Sequence, residues 1–318
     1  MDELVGRIVG NIQNVIVGKR QTIEYVAIAL ICGGHALIED VPGVGKTSLV
    51  SALSKSISCS FSRIQFTPDV LPTDVTGFSM YNMKTAEFEY RPGAVMSQIV
   101  LADEINRTSP KTQSSLLEAM EEGQVTVDGC SHALPQPFMV LATQNPIEYL
   151  GTFPLPEAQL DRFFMRVRLG YPQTDEEVFM LSRFSAGAPL DELAPVSSPE
   201  EIVAAREIVR RTYVDSAVSR YIVSIVQSTR SHPDIALGIS PRGSIALYHA
   251  AQAWACCCGR DYCTPDDVKN MAAPVLSHRI KLRQDAKLKN MQAETLLGDI
   301  IAGTYIPVSG KAAARQAR

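Results

Sequence analysis

The run Asp40-Val-Pro-Gly-Val-Gly-Lys46-Thr47 follows an apolar stretch and leads into residues with helical periodicity. Glycines beside a lysine and a hydroxyl at a helix start suit phosphate. Backbone N–H groups of such a turn wrap phosphate oxygens, and the helix N-terminus adds partial positive charge. The pattern G-x-x-x-x-G-K-[ST] asks for Gly where Asp40 stands, while Gly43-x-Gly45-Lys46-Thr47 is intact. The run Pro42, Gly43, Val44, Gly45, Lys46, Thr47 and Ser48 is therefore expected to hold a nucleoside triphosphate. Lys46 would reach the β- and γ-phosphates, and Thr47 would give its hydroxyl to Mg²⁺.

Two further runs end in polar groups that such a site needs. Ile99-Val-Leu-Ala102 passes directly into Asp103-Glu104. Acidic residues are poor strand formers and are seldom buried, so a carboxylate pair closing an apolar strand needs a reason. The C-terminal edge of a parallel sheet, where ligands sit, supplies one. Asp103 is expected to hold Mg²⁺, directly or through water, and Glu104 to orient and polarise the attacking water. Phe138-Met-Val-Leu-Ala-Thr143 ends in Gln144-Asn145-Pro146. Asn145 would hydrogen-bond the water or the γ-phosphate, the alternative being a plain Asn-Pro turn.

These groups need a sheet to bring them together. Residues 1–170 alternate short apolar runs with amphipathic segments, the pattern of a parallel α/β sheet. Five runs fit strands buried on both faces: Ala36–Glu39, Phe61–Gln65, Gln98–Ala102, Phe138–Thr143 and Phe164–Leu169. Helices are expected from Lys46 to about Ser56 and from Lys111 to Glu121, the second with Leu116, Leu117 and Met120 on one face. Residues 77–90 alternate bulky and polar types about a polar middle, and residues 123–132 carry an Asp128-Gly129 turn, so both read as hairpins. Beyond Gly170 the strand runs stop, and residues 171–198 form a linker and the start of a second unit. Helical periodicities cover 201–212, 215–230, 241–258 and 265–282, with caps at Ser198-Pro199-Glu200-Glu201 and Thr264-Pro265-Asp266-Asp267. Residues 199–308 are expected to be an all-helical domain, and 309–318, with Lys311, Arg315 and Arg318, a flexible tail.

Composition bounds the function. The chain has 318 residues, 46% hydrophobic and 20% charged, enough apolar material for a core and unlike a disordered chain. Its longest apolar stretch, residues 26–38, is interrupted by Gly33, Gly34 and His35, short of the ~20 residues that span a bilayer. No basic-then-apolar leader opens it, so a soluble, cytoplasmic protein is expected. A net charge of −4 does not favour a broad nucleic-acid footprint. Seven cysteines read as reduced thiols. Cys256, Cys257, Cys258 and Cys263 invite a metal, but three consecutive helical residues point about 100° apart and cannot all close on one ion. Small buried apolar residues are the better reading.

Taken together, the motifs resemble the AAA+ superfamily of ATPases and, within it, the MoxR family. The resemblance spans residues 3–308. It is carried by Val17-Gly18-Lys19, the 39–47 loop, Arg63-Ile-Gln-Phe-Thr-Pro-Asp69, Leu101-Ala-Asp-Glu-Ile-Asn-Arg107 and Ser109-Pro-Lys-Thr-Gln113. Leu117-Glu-Ala-Met-Glu-Glu122, Ala142-Thr-Gln-Asn-Pro146 and Pro156-Glu-Ala-Gln-Leu-Asp-Arg-Phe163 complete it. It implies an α/β P-loop NTPase domain with a five-stranded parallel sheet and helices on both faces, then a smaller helical lid. It also implies ATP with Mg²⁺, and a ring of identical copies, usually six. An arginine of one copy would complete a neighbour's site; by motif position this is Arg162, with Arg107 as runner-up. Arg242 matches the second-sensor arginine, Gln65 the residue that restrains the catalytic glutamate, and Val17 and Gly18 the adenine-side loop. Residues 77–93 and 121–137 match the family's two hairpin insertions.

Three functions then compete. One is a chaperone-like ATPase that remodels, activates or inserts a cofactor or metal into a protein client, with a von Willebrand factor A domain protein as a typical partner. The second is a nucleic-acid motor, and the third a scaffold that binds ATP without turning it over. From Glu121 to Pro137 there is no Lys or Arg to neutralise a phosphate backbone. The 77–93 segment offers Phe78, Tyr81, Phe88 and Tyr90, anchors suited to a protein surface. Retention of Lys46, Asp103, Glu104 and Arg162 weighs against a scaffold.

Overall fold

A computed structural model describes residues 1–145, 151–184 and 189–306. The expected turn at Pro146 and the expected tail, 309–318, lie outside the described residues. Strands run β1 (Ala36–Glu39), β2 (Phe61–Gln65), β3 (Gly77–Asn82), β4 (Glu87–Pro92), β5 (Ile99–Asp103), β6 (Gln124–Val127), β7 (Cys130–Ala133), β8 (Met139–Gln144), β9 (Met165–Val167), β10 (Ile235–Leu237) and β11 (Lys281–Leu282). Helices before and among the first nine strands are α1 (Asp2–Gln13), α2 (Arg20–Ile31), α3 (Lys46–Ser56), α4 (Pro72–Thr76), α5 (Pro110–Glu122) and α6 (Glu157–Leu160). The rest are α7 (Thr174–Phe184), α8 (Pro199–Arg211), α9 (Ser216–Ser231), α10 (Pro241–Cys257), α11 (Pro265–Leu276), α12 (Gln284–Leu288) and α13 (Ala293–Gly303).

Five parallel strands form one sheet in the order β2-β5-β8-β1-β9. Alternation of side chains along each strand splits the core in two. Ile99 and Leu101 pack into one apolar cluster with α1, α2 and α3. Val100 and Ala102 pack into the other with Leu116, Leu117 and Met120 of α5. Both faces of the central strands β1, β5 and β8 are therefore covered, which is why they read as unbroken apolar runs; β2, at the sheet edge, departs from the expectation, with Phe61, Arg63 and Gln65 exposed and only Ile64 buried. Pairing is in register at the C-terminal edge, with Gln65 opposite Asp103 and Glu39 opposite Gln144. Strand ends that the sequence leaves scattered are brought to one line.

The hairpins form as expected. In β6–β7 the turn residues Asp128 and Gly129 both have positive φ, 49° and 81°, as a tight two-residue hairpin demands. Tyr90 of β4 stacks on His132 of β7 with ring centroids 3.8 Å apart, so the two hairpins touch. Beyond α8 the described residues are mainly helical, but two pairings escape the periodicities: β10 and β11 pair antiparallel, and Tyr213 and Tyr262 form an isolated parallel bridge. Segment 171–198, expected as a linker, also contains α7, whose Thr174-Asp-Glu-Glu177 start puts acidic residues in the first helical turn. The cysteine expectation needs one correction. Cys256 and Cys263 are buried, but Cys258 caps the end of α10 and is exposed. No metal-binding cluster occurs among the described residues.

Candidate active site

The loop between β1 and α3 is shaped by backbone demands. Gly43 and Gly45 have φ of 86° and 89°. A Cβ on Gly43 would meet nothing within 4 Å, so handedness rather than space requires glycine there. Asp40, the departure from the usual pattern, has a structural task. Its carboxylate accepts hydrogen bonds from the backbone N–H groups of Val41 (2.8 Å), Leu169 (2.7 Å) and Gly170 (2.6 Å). The loop is thereby tied to the chain leaving β9. Lys46 Nζ donates to the carbonyls of Asp40 (2.8 Å) and Val41 (3.2 Å), holding the ammonium across the loop's mouth.

The loop opens on a cavity of about 360 Å³ lined by Pro42, Gly43, Gly45, Lys46, Thr47, Ser48, Arg63, Asp103, Glu104 and Asn145. Residues from three strand ends and the loop thus meet in one space. Val44 does not line the cavity, and its side chain packs against the core. Val17 and Gly18 do not line the cavity, but their turn lies beside it: Ile16 Cδ1 is 3.6 Å from where a Cβ on Gly45 would be. Gly18 has φ 75°, and the Glu176 carboxylate of α7 fills the place of its missing side chain.

The two carboxylates are held differently. Asp103 is buried, accepting from Thr143 Oγ1 (2.6 Å) at Oδ1 and from Arg63 Nη2 (2.6 Å) at Oδ2. Glu104 has φ 56° and ψ 48°, the left-handed region that a non-glycine residue seldom adopts. Strain of this kind, about 1–3 kcal/mol, persists where the surroundings impose it. Here the Glu104 N–H donates to Thr143 Oγ1 (2.9 Å), and its Oε2 accepts from Gln65 Nε2 (2.8 Å). Arg107 Nε stands 3.4 Å from the same oxygen. Arg63 Nη2 also donates to Gln65 Oε1 (2.9 Å), linking the carboxylates through β2. Thr143 and Arg63 were not singled out from the sequence as site residues. Arg63 and Gln65 are two apart on a strand, hence on one face, but nothing in the sequence said which face meets the carboxylates.

Thr47 hydroxyl and Asp103 carboxylate line the same cavity, an all-oxygen donor pair of the kind that suits Mg²⁺. A magnesium ion there would neutralise phosphate charge and draw it toward the loop.

Arg162 and Arg242 are not in this cavity. Both lie on Glu121 at the end of α5: Arg162 Nη2 is 3.0 Å from Oε2, and Arg242 Nη2 bonds Oε1. They line a separate cavity of about 280 Å³ that includes Gly33, Gly34 and His35. His35 precedes β1 and its Nε2 meets the Met120 carbonyl at 3.1 Å, so this cluster sits at the opposite sheet edge from the phosphate loop. Burial pushes the His35 imidazole down to about 4, keeping it neutral.

Comparison with known proteins agrees with this geometry. Residues 35–165 match the ATPase family associated with various cellular activities (AAA), and residues 227–300 match an AAA lid domain. The uncharacterized protein YeaC of Bacillus subtilis is 54% identical over 309 residues, 97% of each chain. Chaperone MoxR1 of Mycobacterium tuberculosis is 37% identical over 310 residues, covering 95% of this chain and 82% of that one. A crystal structure from Cytophaga hutchinsonii, assigned as an ATPase, superposes with a TM-score of 0.90 at 36% identity over 96% of both chains.

Proposed function

The chain belongs to the MoxR family of AAA+ ATPases, and from that premise we propose that it hydrolyses ATP with Mg²⁺ in a ring of identical copies to remodel a protein client. The observation that carries the reading is the hydrogen-bonded line Arg63–Asp103–Thr143–Glu104–Gln65, set against the phosphate loop in one cavity. Residues 1–170 serve as the nucleotide-binding unit and 199–308 as its lid.

Each residue then has a task. Gly43, Gly45 and Ser48 cradle the phosphates, and Lys46 leaves its loop carbonyls for the β- and γ-oxygens. Glu104 Oε2 accepts the proton side of the attacking water once Gln65 lets go, and Asn145 steadies that water or the γ-phosphate. Arg162 and Arg242 line a cavity separate from the loop of their own copy, which supports a role at the site of an adjoining one. Arg107 is already drawn to the Glu104 of its own chain, which favours Arg162 as the finger.

The client is a protein rather than a nucleic acid. The β3–β4 hairpin exposes Phe78, Tyr81, Met83 (88% exposed) and Phe88 (75%), while its two cations, Lys84 and Arg91, are offset by Glu87 and Glu89, with Arg91 paired to Glu89. A von Willebrand factor A domain protein is a candidate partner, and the cytoplasm the proposed location. Among the described residues no helix is long and apolar enough to cross a membrane.

The test is Glu104→Gln. It removes the acceptor for the water's proton while leaving the loop intact, so ATP binding is expected to persist and phosphate release to stop. A variant that binds ATP and releases phosphate at the wild-type rate would defeat the assignment.

A further inference from the structure

We propose that Glu121 is a positioning residue, gathering Arg162 and Arg242 into one cationic clamp that receives the terminal phosphate held by an adjoining copy. This rests on the ring ATPase reading above and adds a residue to it. The two arginines come from different parts of the chain, Arg162 just after α6 and Arg242 in the first turn of α10. Both are attached to a single carboxylate near the end of α5, one to each oxygen.

Their backbones are fixed by a second clasp. Asp161 Oδ2 accepts from Ser240 Oγ (2.7 Å), the N-cap of α10, and its Oδ1 accepts from Arg279 Nε (2.8 Å). Asp161 thus pins the residue before Arg162 against the start of the helix carrying Arg242. What it leaves undecided is where the two guanidiniums point. Three arginines and a helix N-terminus crowd this corner, and like charges repel. Among the described residues Glu121 is the one carboxylate lining the cavity, and it draws the two heads together.

The corner is also undercompensated. Arg162, Arg242 and Arg279 face two acids, Glu121 and Asp161, and His35 is neutral. Arg162 and Arg242 keep 31% and 44% of their side-chain surface exposed. Each meets Glu121 through Nη2, and a guanidinium carries five N–H donors, so an anion can be bound without giving up the carboxylate. Exposed ion pairs of this sort are worth under about 1 kcal/mol, so stability alone does not account for a carboxylate shared between two arginines.

The experiment uses Glu121→Gln in the full chain, measured for phosphate release, ATP binding and melting temperature. A drop of about 10²-fold in kcat is expected, the scale of misplacing a catalytic group by an ångström. ATP affinity should hold, since the variant's own loop is intact, and melting should move by less than about 3 °C. Glu121→Asp, which keeps the charge, should recover part of the rate. Wild-type kcat in Glu121→Gln, or a loss matched by a collapse in melting temperature and no recovery in Glu121→Asp, overturns the proposal.

Mixing provides the decisive arm. Glu121→Gln copies mixed with Lys46→Ala copies should regain turnover, because an intact loop then meets an intact clamp at about a quarter of the boundaries of a head-to-tail ring. Arg162→Ala mixed with Lys46→Ala is the control. Recovery in the control alone refutes the role of Glu121 and leaves the ring reading standing. Recovery in neither refutes the ring reading itself.

Discussion

Two clusters of carboxylates and guanidiniums stand at opposite ends of α5, a thirteen-residue helix about 20 Å long. The first, Arg63–Asp103 and Gln65–Glu104, is built into a cavity with the phosphate loop, and its backbone is strained into place. The second, Arg162–Glu121–Arg242, is half exposed and carries surplus positive charge. One end has a phosphate cradle and acids; the other has cations and no cradle. The two line separate cavities, so within one copy they do not form a single site. The difference argues for a pocket completed between copies, with α5 as the rigid link from one boundary to the next.

The most damaging way to break this complementarity is to remove the cation. Arg162→Ala is expected to lower kcat by about 10³-fold or more while ATP binding persists. Equal kcat values for the variant and wild type in a phosphate-release assay would separate the second cluster from catalysis. Glu121→Gln, which misdirects the same cation without deleting it, should fall short of that loss. A smaller effect tests the first cluster. Arg63 Nη2 bonds the Asp103 oxygen at 2.6 Å and so competes with a divalent cation for it. Arg63→Ala is expected to lower the Mg²⁺ concentration for half-maximal turnover, on the order of threefold, since such a partly exposed pair is worth under about 1 kcal/mol. An unchanged or raised Mg²⁺ requirement would count against that competition.

An effect on stability rather than on turnover concerns the joint between the clusters. His35 accepts from the Val140 N–H at Nδ1 (3.0 Å) and meets the Met120 carbonyl at Nε2, binding β8, β1 and α5 together. Burial lowers its pKa from the ordinary 6.5 to about 4. The unfolded chain therefore binds the proton first as pH falls. The contribution is complete above pH 6.5 and fades toward pH 4, by about 3 kcal/mol at most. Denaturant midpoints measured across that window should fall with pH, and less steeply in His35→Gln. A flat profile in the wild type would exclude the effect.

Much of this was legible before any coordinates. Unbroken apolar runs place β1, β5 and β8 within a residue or two, because both of their faces are covered, and the Gly43-x-Gly45-Lys46-Thr47 run marks the loop outright. The pairing of β10 with β11 was not, since three residues and two leave no periodicity to read. Arg242 illustrates a deeper limit. The Ser240-Pro241 cap fixes where its helix begins, yet the partner of its side chain depends on how the lid is docked. Glu121 likewise looked like a hairpin charge, because its meaning comes from two arginines far away in sequence. Asp40 seemed a flaw in the motif until its three backbone partners were visible.

The shared pocket is tested most directly by determining the structure of the Glu104→Gln protein assembled with ATP and Mg²⁺. The account predicts Arg162 and Arg242 of each copy at the γ-phosphate held by the Lys46 of the next, with Glu121 still bridging them. A closed assembly with both arginines turned away from every nucleotide, or a nucleotide site enclosed wholly within one copy, would contradict it.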